Sequence, residues 1–197
     1  MKERLTHYLP IIYALYTSLK ASYHLVVSKG LFKSALLWSS IDNSGNPLPW
    51  FSYPAIDYLK SINLKDKNIF EYGSGNSTIF FHRKAKSIQS VEDDLLWYQK
   101  IVKKCPSVQL INDKDKYIHA IKGFFDIIII DGSYRAECAR EALTHLNRGG
   151  FIIADDTNII PKVKRVLDKT RLLPIHFMGP SPIGGLLVKV TTFYYKS

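Results

Sequence analysis

Cysteine is scarce: the 197 residues hold two, Cys105 and Cys138. They lie far apart with no metal or redox spacing, which excludes a disulfide framework and makes a reducing compartment, the cytoplasm, the simple expectation. Long apolar runs are missing as well. Residues 5–19 carry no Lys, Arg, Asp or Glu, but so short a stretch does not span a bilayer, and Lys20 and His24 interrupt its continuation. Lys2 and Arg4 precede it, yet no small-residue cleavage pattern of a signal peptide follows. Internal repeats and low-complexity linkers are absent too. What remains is an ordinary composition, 46% hydrophobic and 22% charged, in a chain long enough for one domain with a full core.

Acidic residues are in short supply at both ends. The formal net charge is +10. Residues 1–40 hold five Lys/Arg against one Glu, and residues 157–197 hold seven against one acid. The segment between them balances, fifteen against fifteen. A generally basic nucleic-acid binder is thereby disfavoured. The surplus at the ends either meets RNA, anionic lipid or an acidic substrate, or is a solvated basic surface.

In residues 5–28 the spacing Tyr8, Ile12, Leu15, Leu19 predicts one helical face. That helix either packs on the domain or lies at a membrane interface, where residues 1–40 would make peripheral contact with the inner membrane. Leu31 to Trp38 reads as a second short helix, and Asp42 to Pro49 as a turn-rich connector. Trp50-Phe51-Ser52-Tyr53-Pro54 is an aromatic cluster that either lines a pocket or plugs the N-terminal helices onto the rest. Pro54 fits the first turn of a helix running to about Leu59.

From Asn68 onward strands and helices alternate. Strands are predicted at 68–72, 87–91, 107–111, 125–130, 150–154, 172–177 and 185–195, and helices at 76–85, 94–104, 115–121, 134–147 and 159–169. The run Ile127-Ile128-Ile129-Ile130 reads as a buried parallel strand. Gly149-Gly150 is expected to end the long helix before the next strand. A Gly184-Gly185 turn would join the last two strands in a hairpin, making the final strand antiparallel. The pattern predicts an α/β fold, a Rossmann-like doubly wound seven-stranded sheet.

The chain is organised around Glu71-Tyr72-Gly73-Ser74-Gly75-Asn76-Ser77-Thr78. An apolar run leads into an acid, two glycines alternate with small polar residues, and a helical pattern follows. Such a turn lets backbone amides approach a ligand. The dinucleotide fingerprint G-x-G-x-x-G needs glycine where Thr78 stands. The alternative, an acid two residues before the first glycine, is similar to the first motif of class I S-adenosylmethionine (SAM) dependent methyltransferases, D/E-x-G-x-G-x-G, with Ser77 at its third glycine. Negative charge at this turn suits the ammonium and sulfonium of SAM and repels a pyrophosphate.

Five successive predicted strands end in acids: Glu71, Glu92, Asp113, Asp131, and Asp155 with Asp156. Ligands of open α/β sheets bind at such ends, although one or two of these acids could be helix N-caps. Glu92 follows Gly75 by seventeen residues and can accept both hydroxyls of a ribose. Asp113 is the candidate to face an adenine amino group.

The segments Gly45 to Ile56, Glu71 to Thr78, Ser90 to Asp94, Asp126 to Gly132 and Gly149 to Asp155 together resemble a bacterial class I methyltransferase family whose substrate is undefined. The resemblance implies a SAM-binding methyltransferase domain over 45–197, preceded by a helical extension over 1–44. It implies a cofactor cradle of Glu71, Gly73, Ser74, Gly75, Ser77, Glu92, Asp113 and Asp131, with Asp131 catalytic or contacting the SAM ammonium. Asp131-Gly132-Ser133-Tyr134 stands where amino-methylating enzymes carry D/N-P-P-Y/F/W, and the Pro-Cys nucleophile of cytosine-C5 enzymes is missing. Asp131, Asp155 and Asp156 also resemble the metal-binding trio of catechol-type O-methyltransferases, which would hold Mg²⁺ or another divalent cation. The expected acceptor is a small molecule or saccharide, methylated on oxygen. RNA methylation by way of the basic ends, and a non-catalytic module associated with membrane or a partner, are the alternatives. Oligomeric state is not legible.

Overall fold

Four consecutive isoleucines fix the middle of the sheet. In an extended strand successive side chains point to opposite faces. Ile127 and Ile129 accordingly join one apolar core, and Ile128 and Ile130 another. Such a strand has no solvated face and must lie between two layers of helix. In the computed structural model, which describes residues 10–184 and 188–197, this is β4 (Phe125–Ile130), the fourth of seven strands in one sheet.

The other strands are β1 (Asn68–Tyr72), β2 (Ser87–Glu92), β3 (Val108–Leu110), β5 (Leu146–Ala154), β6 (Leu173–Gly179) and β7 (Lys189–Tyr195). Their order is β3-β2-β1-β4-β5-β7-β6. The first five run parallel, and β7 enters between β5 and β6 antiparallel to both. The chain starts at β1, winds outward through β2 and β3, then crosses back to β4. β1 and β4 are therefore neighbours at the point where the winding reverses, and a crevice opens there beyond their carboxyl ends.

Eight α-helices are described: α1 (Pro10–Tyr23), α2 (Leu31–Leu37), α3 (Tyr53–Ser61), α4 (Asn76–His82), α5 (Leu95–Val102), α6 (Lys114–Ile118), α7 (Arg135–His145) and α8 (Pro161–Leu167). One core holds Phe51, Ile56 and Leu59 with Ile79, Phe81 and Phe193. The other holds Phe70, Tyr72 and Tyr117 with Ala139, Val163 and Tyr194. Phe51 and Tyr53 of the aromatic cluster are buried core, while Trp50 is partly exposed. The cluster thus supplies both a plug and, through Trp50, a cavity wall. From the π-helical turn His24–Ser28 onward the N-terminal segment is fastened down. Leu25 and Val26 pack against the first core, and Lys29 Nζ lies 2.5 Å from Asp57. α1 itself buries no side chain, so of the two expected placements of that helix, packing on the domain is not found among the described residues.

The pair Gly149-Gly150 does not end the long helix. α7 stops at His145, Leu146 already has extended backbone, and both glycines lie inside β5. The cause is local. β5 slips register against β4 between Phe125 and Ile127, and a Cβ on Gly150 would stand 2.5 Å from the Asp126 carbonyl oxygen. Glycine here permits close backbone approach at a bulge rather than a helix stop. The terminal strands also differ in extent. β7 begins at Lys189, and Gly185 of the expected turn lies outside the described residues. Gly150→Ala is expected to cost about 1–3 kcal/mol from overpacking, read as a lowered midpoint in urea denaturation with an unchanged slope.

Candidate functional site

The centre of the crevice is a buried acid held by hydroxyls. Glu71 is the next-to-last residue of β1, and its carboxylate accepts hydrogen bonds from Ser77 Oγ (2.5 Å), Thr78 Oγ1 (2.6 Å) and Ser90 Oγ (2.9 Å). Burial pushes the Glu71 carboxyl up to about 7, against the pull of those three donors. Ser77 and Thr78 belong to the first turn of α4 and Ser90 to β2, so one carboxylate ties three elements together. Thr78 Oγ1 also accepts the Gly75 N–H at 2.9 Å, which fixes the turn before α4.

Gly73 lies in the left-handed region at φ 95°. A Cβ there would come within 2.9 Å of Gly132 Cα and nitrogen, and a Cβ on Gly132 would come within 2.6 Å of Gly73 nitrogen and 2.2 Å of the Tyr117 hydroxyl. The loops after β1 and β4 therefore touch backbone to backbone, and both need glycine. Ser74 turns toward β2: its N–H and its hydroxyl donate to Glu92 Oε2 at 2.9 and 2.7 Å. Glu92 Oε1 accepts the N–H groups of Asp93 and Asp94. Burial raises the pKa of Glu92, opposed by these donors.

Glu71, Glu92, Asp93 and Asp131 share a small cavity of about 220 Å³ with Gly73, Ser74, Ser77, Trp97, Gly132 and Ser133. Four acids line it and no cation does. A larger cavity of about 620 Å³ adjoins it, sharing Ser74, Ser77, Trp97 and Asp131; Trp38, Trp50, Lys100 and Lys104 form other parts of its wall. The indole Nε1 of Trp97 donates to the Ser74 carbonyl. Trp97 thus stands between the two spaces, a role its sequence position after Glu92-Asp93-Asp94 does not announce. Asp113 lies apart: it caps α6 by accepting the Lys116 N–H at 2.8 Å and lines neither cavity. Its local spacing before a helix carries the cap signal.

Asp131, Asp155 and Asp156 do converge, each offering one oxygen within 4.8 Å of the others. The cluster already holds its cations. Lys189 of β7 places Nζ 2.6 Å from Asp155 Oδ2 and 3.3 Å from Asp156 Oδ1. Arg135 lies 2.9 Å from Asp131 Oδ1 and donates also to the carbonyls of Asp131, Gly132 and Asp155. The Thr191 hydroxyl donates to Asp155 Oδ1 at 2.6 Å. Burial lowers the pKa of Lys189, but the charges of Asp155, Asp131 and Asp156 outweigh it and keep the ammonium charged. A divalent ion would have to displace that ammonium, so the residues present do not fit a resident metal. Lys189 and Arg135 escaped sequence reasoning because Lys189 is thirty-three residues from Asp156, and only the antiparallel return of β7 brings it back.

Strain gathers at this end of the sheet. Among the described residues three non-glycine side chains take left-handed backbone: Trp38, Tyr134 and Asp156. Trp38 lines the larger cavity, Tyr134 packs edge-on against Tyr117, and Asp156 belongs to the acid trio. Such conformations cost free energy and persist where the surroundings demand them.

Solved structures share this topology. Ribosomal protein L11 methylase from Lactobacillus delbrueckii subsp. bulgaricus superposes at a TM-score of 0.55 and 15% identity, over 73% of this chain and 77% of that one. The fold is that of the class I methyltransferases. A methyltransferase from Pyrococcus furiosus matches at 0.53 and 16% identity, over 86% and 94% of the two chains. The O-methyltransferase TomG from Streptomyces achromogenes, solved in complex with SAM, matches at 0.54 and 12% identity, over 66% and 73%. No family model and no curated sequence matches the chain. In this fold the acid-lined cavity lies at the carboxyl ends of β1, β2 and β4.

The raised pKa of Glu71 has a stability consequence. A carboxyl that titrates near 7 when folded and near 4.5 when free favours the folded chain in its protonated form. That contribution is full below pH 4.5 and is lost as pH rises toward 7. At about 1.4 kcal/mol per tenfold, the loss is about 3 kcal/mol. Urea denaturation on either side of this window measures it, and Glu71→Gln is expected to flatten the slope.

Proposed function

We propose that the chain is a SAM-dependent methyltransferase that methylates an oxygen of a small molecule or saccharide. The observation that carries the cofactor is the small cavity at the winding reversal of a class I methyltransferase fold: four acids line it, and of these only Asp131 is paired with a cation, Arg135. That charge suits a ligand bearing an ammonium and a sulfonium and opposes a pyrophosphate. Gly73 and Ser74 border the space with little bulk; Gly75 borders the adjoining larger cavity, where a Cβ would meet only ordinary contacts near Trp97. The residues fit the cofactor. Glu92 would take the ribose hydroxyls, which exchange with the Ser74 hydroxyl it now accepts, and Glu71 would hold the turn beneath the ligand, whose positive charge favours the ionised form of its raised carboxyl. Asp131 would face the ammonium or the reacting oxygen.

Bound SAM would supply an electrophilic methyl group. The chain's own part is alignment, exclusion of water and removal of one proton. Alignment of the reactants contributes about 7–11 kcal/mol in favourable cases. Asp131 borders both cavities, which suits it to take the proton of an acceptor hydroxyl in the larger one, while the Arg135 guanidinium holds the other side of its carboxylate. The ammonium of Lys189, held by Asp155 and Asp156, adds fixed positive charge near Asp131, and the proposed transfer uses no metal. The absence of the D/N-P-P-Y/F/W segment favours oxygen over a base amine as the acceptor.

Calorimetric titration with S-adenosylhomocysteine is expected to show micromolar binding that Glu92→Ala abolishes; no binding by the unaltered chain refutes the cofactor. Transfer of label from SAM to a polar small-molecule and saccharide extract is expected to proceed unchanged in chelator. Asp131→Asn is expected to slow it by about 10²–10⁴-fold. Label entering RNA instead overturns the acceptor class, and loss of transfer in chelator overturns the metal-free site.

A further inference from the structure

α1 is a helix with a bare apolar face. Ile11, Ile12, Leu15, Tyr16, Leu19 and Tyr23 are all more than half exposed, Ile11 at 74% and Leu19 at 70%. At 3.6 residues per turn these six lie within an arc of about 140°. Nothing in the described chain covers that arc, since α1 has no buried residue. The exposure continues through α2, where Phe32 and Leu36 are also uncovered, and onto Trp38 at its C-terminal cap, Leu36 at 71% and Trp38 at 73%. An apolar surface of this extent on two successive helices marks an interaction site.

Charge selects the occupant. Between Glu3 and Asp42 the sequence has no acid and four cations, Arg4, Lys20, Lys29 and Lys33. Lys29 is engaged by Asp57, while Lys20 is exposed in the last turn of α1. A second copy of the chain would bring the same acid-free, cationic stretch and a second net charge of +10, so self-association through this face opposes like charges. An anionic lipid surface complements it. The exposed apolar residues include Tyr16, Tyr23 and Trp38, the aromatic types that settle at the headgroup boundary. α1 has fourteen residues, about 21 Å of helix, and no helix among the described residues is long and apolar enough to cross a membrane. Such a helix lies along the interface with its apolar arc among the acyl chains.

We propose that Pro10 to Trp38 forms an interfacial anchor for an anionic bilayer. Trp38 belongs both to the exposed apolar surface and to the wall of the larger cavity. Anchoring therefore sets the mouth of that cavity beside the lipid headgroups. The anchor does not rest on the chemistry proposed above, and the two are tested apart.

Flotation with phosphatidylcholine vesicles, with and without phosphatidylglycerol, tests it on the full chain. The chain is expected to float with the phosphatidylglycerol vesicles, less as salt is raised, and to stay behind with phosphatidylcholine alone. The double variant Leu15→Asp/Leu19→Asp is expected to lower partitioning at least tenfold, and Lys20→Glu to weaken it. Neither substitution touches a buried side chain, and an unchanged melting temperature verifies that the fold is intact. The proposal is overturned by no flotation on anionic vesicles, by equal flotation on neutral ones, or by undiminished flotation of the double variant. A salt-insensitive dimer that the double variant dissolves, without vesicle binding, would assign the face to a second copy. S-adenosylhomocysteine titration of the same proteins reports separately on the methyl-transfer reading.

Discussion

The structure turns on one carboxylate that water does not reach. Glu71 lies one residue before the end of β1, and three hydroxyls from α4 and β2 close around it. A charge so buried is costly unless every acceptor position is served, so the turn that follows has little freedom. Ser77 and Thr78 must present their hydroxyls inward, which sets the start of α4. Ser90 must point across from β2, which sets the neighbouring strand. The loop between them is then left to pass over the cavity as backbone. The third glycine of the motif is a serine because this chain uses the side chain at that position to hold the acid.

Around that hub the site is built from two opposed electrostatic arrangements. On the side of β1 and β2, acids crowd a small space without a counter-ion. On the side of β5 and β7, acids meet fixed cations, with Lys189 and Arg135 balancing the trio. Asp131 stands where the two meet. In one half the acids have no cation of the chain among the residues around them; the other has its positive charge supplied by Lys189 and Arg135.

The fold was legible because its signals were local. The four isoleucines, the glycine turn and the acids closing successive strands each act within a few residues, and the sheet follows from them. β1 and β4 match the sequence expectation at both ends. At the glycine pair, where reading failed, a segment distant in sequence decided the outcome. Gly149-Gly150 has the composition of a helix stop, but the pressing constraint is the Asp126 carbonyl of the neighbouring strand. Asp113 has the position of a ligand acid and the local geometry of a cap, and the local geometry prevailed. Of the expected cradle, Glu71, Gly73, Ser74, Ser77, Glu92 and Asp131 meet in one cavity. Trp97, Gly132, Arg135 and Lys189 were hidden because their roles come from what the fold lays beside them.

Lys189 also gives the sheet an order of assembly. Asp155 and Asp156, after β5, precede the lysine that neutralises them by thirty-four and thirty-three residues. Until β7 slots between β5 and β6, Asp155 has neither its ammonium nor the Thr191 hydroxyl. A charge of that kind resists dehydration, so the edge of β5 stays wetted and a poor template for a foreign strand. The strand that completes the sheet is thus the one that brings the counter-ion, and the sheet edge becomes dry only when its own chain fills it.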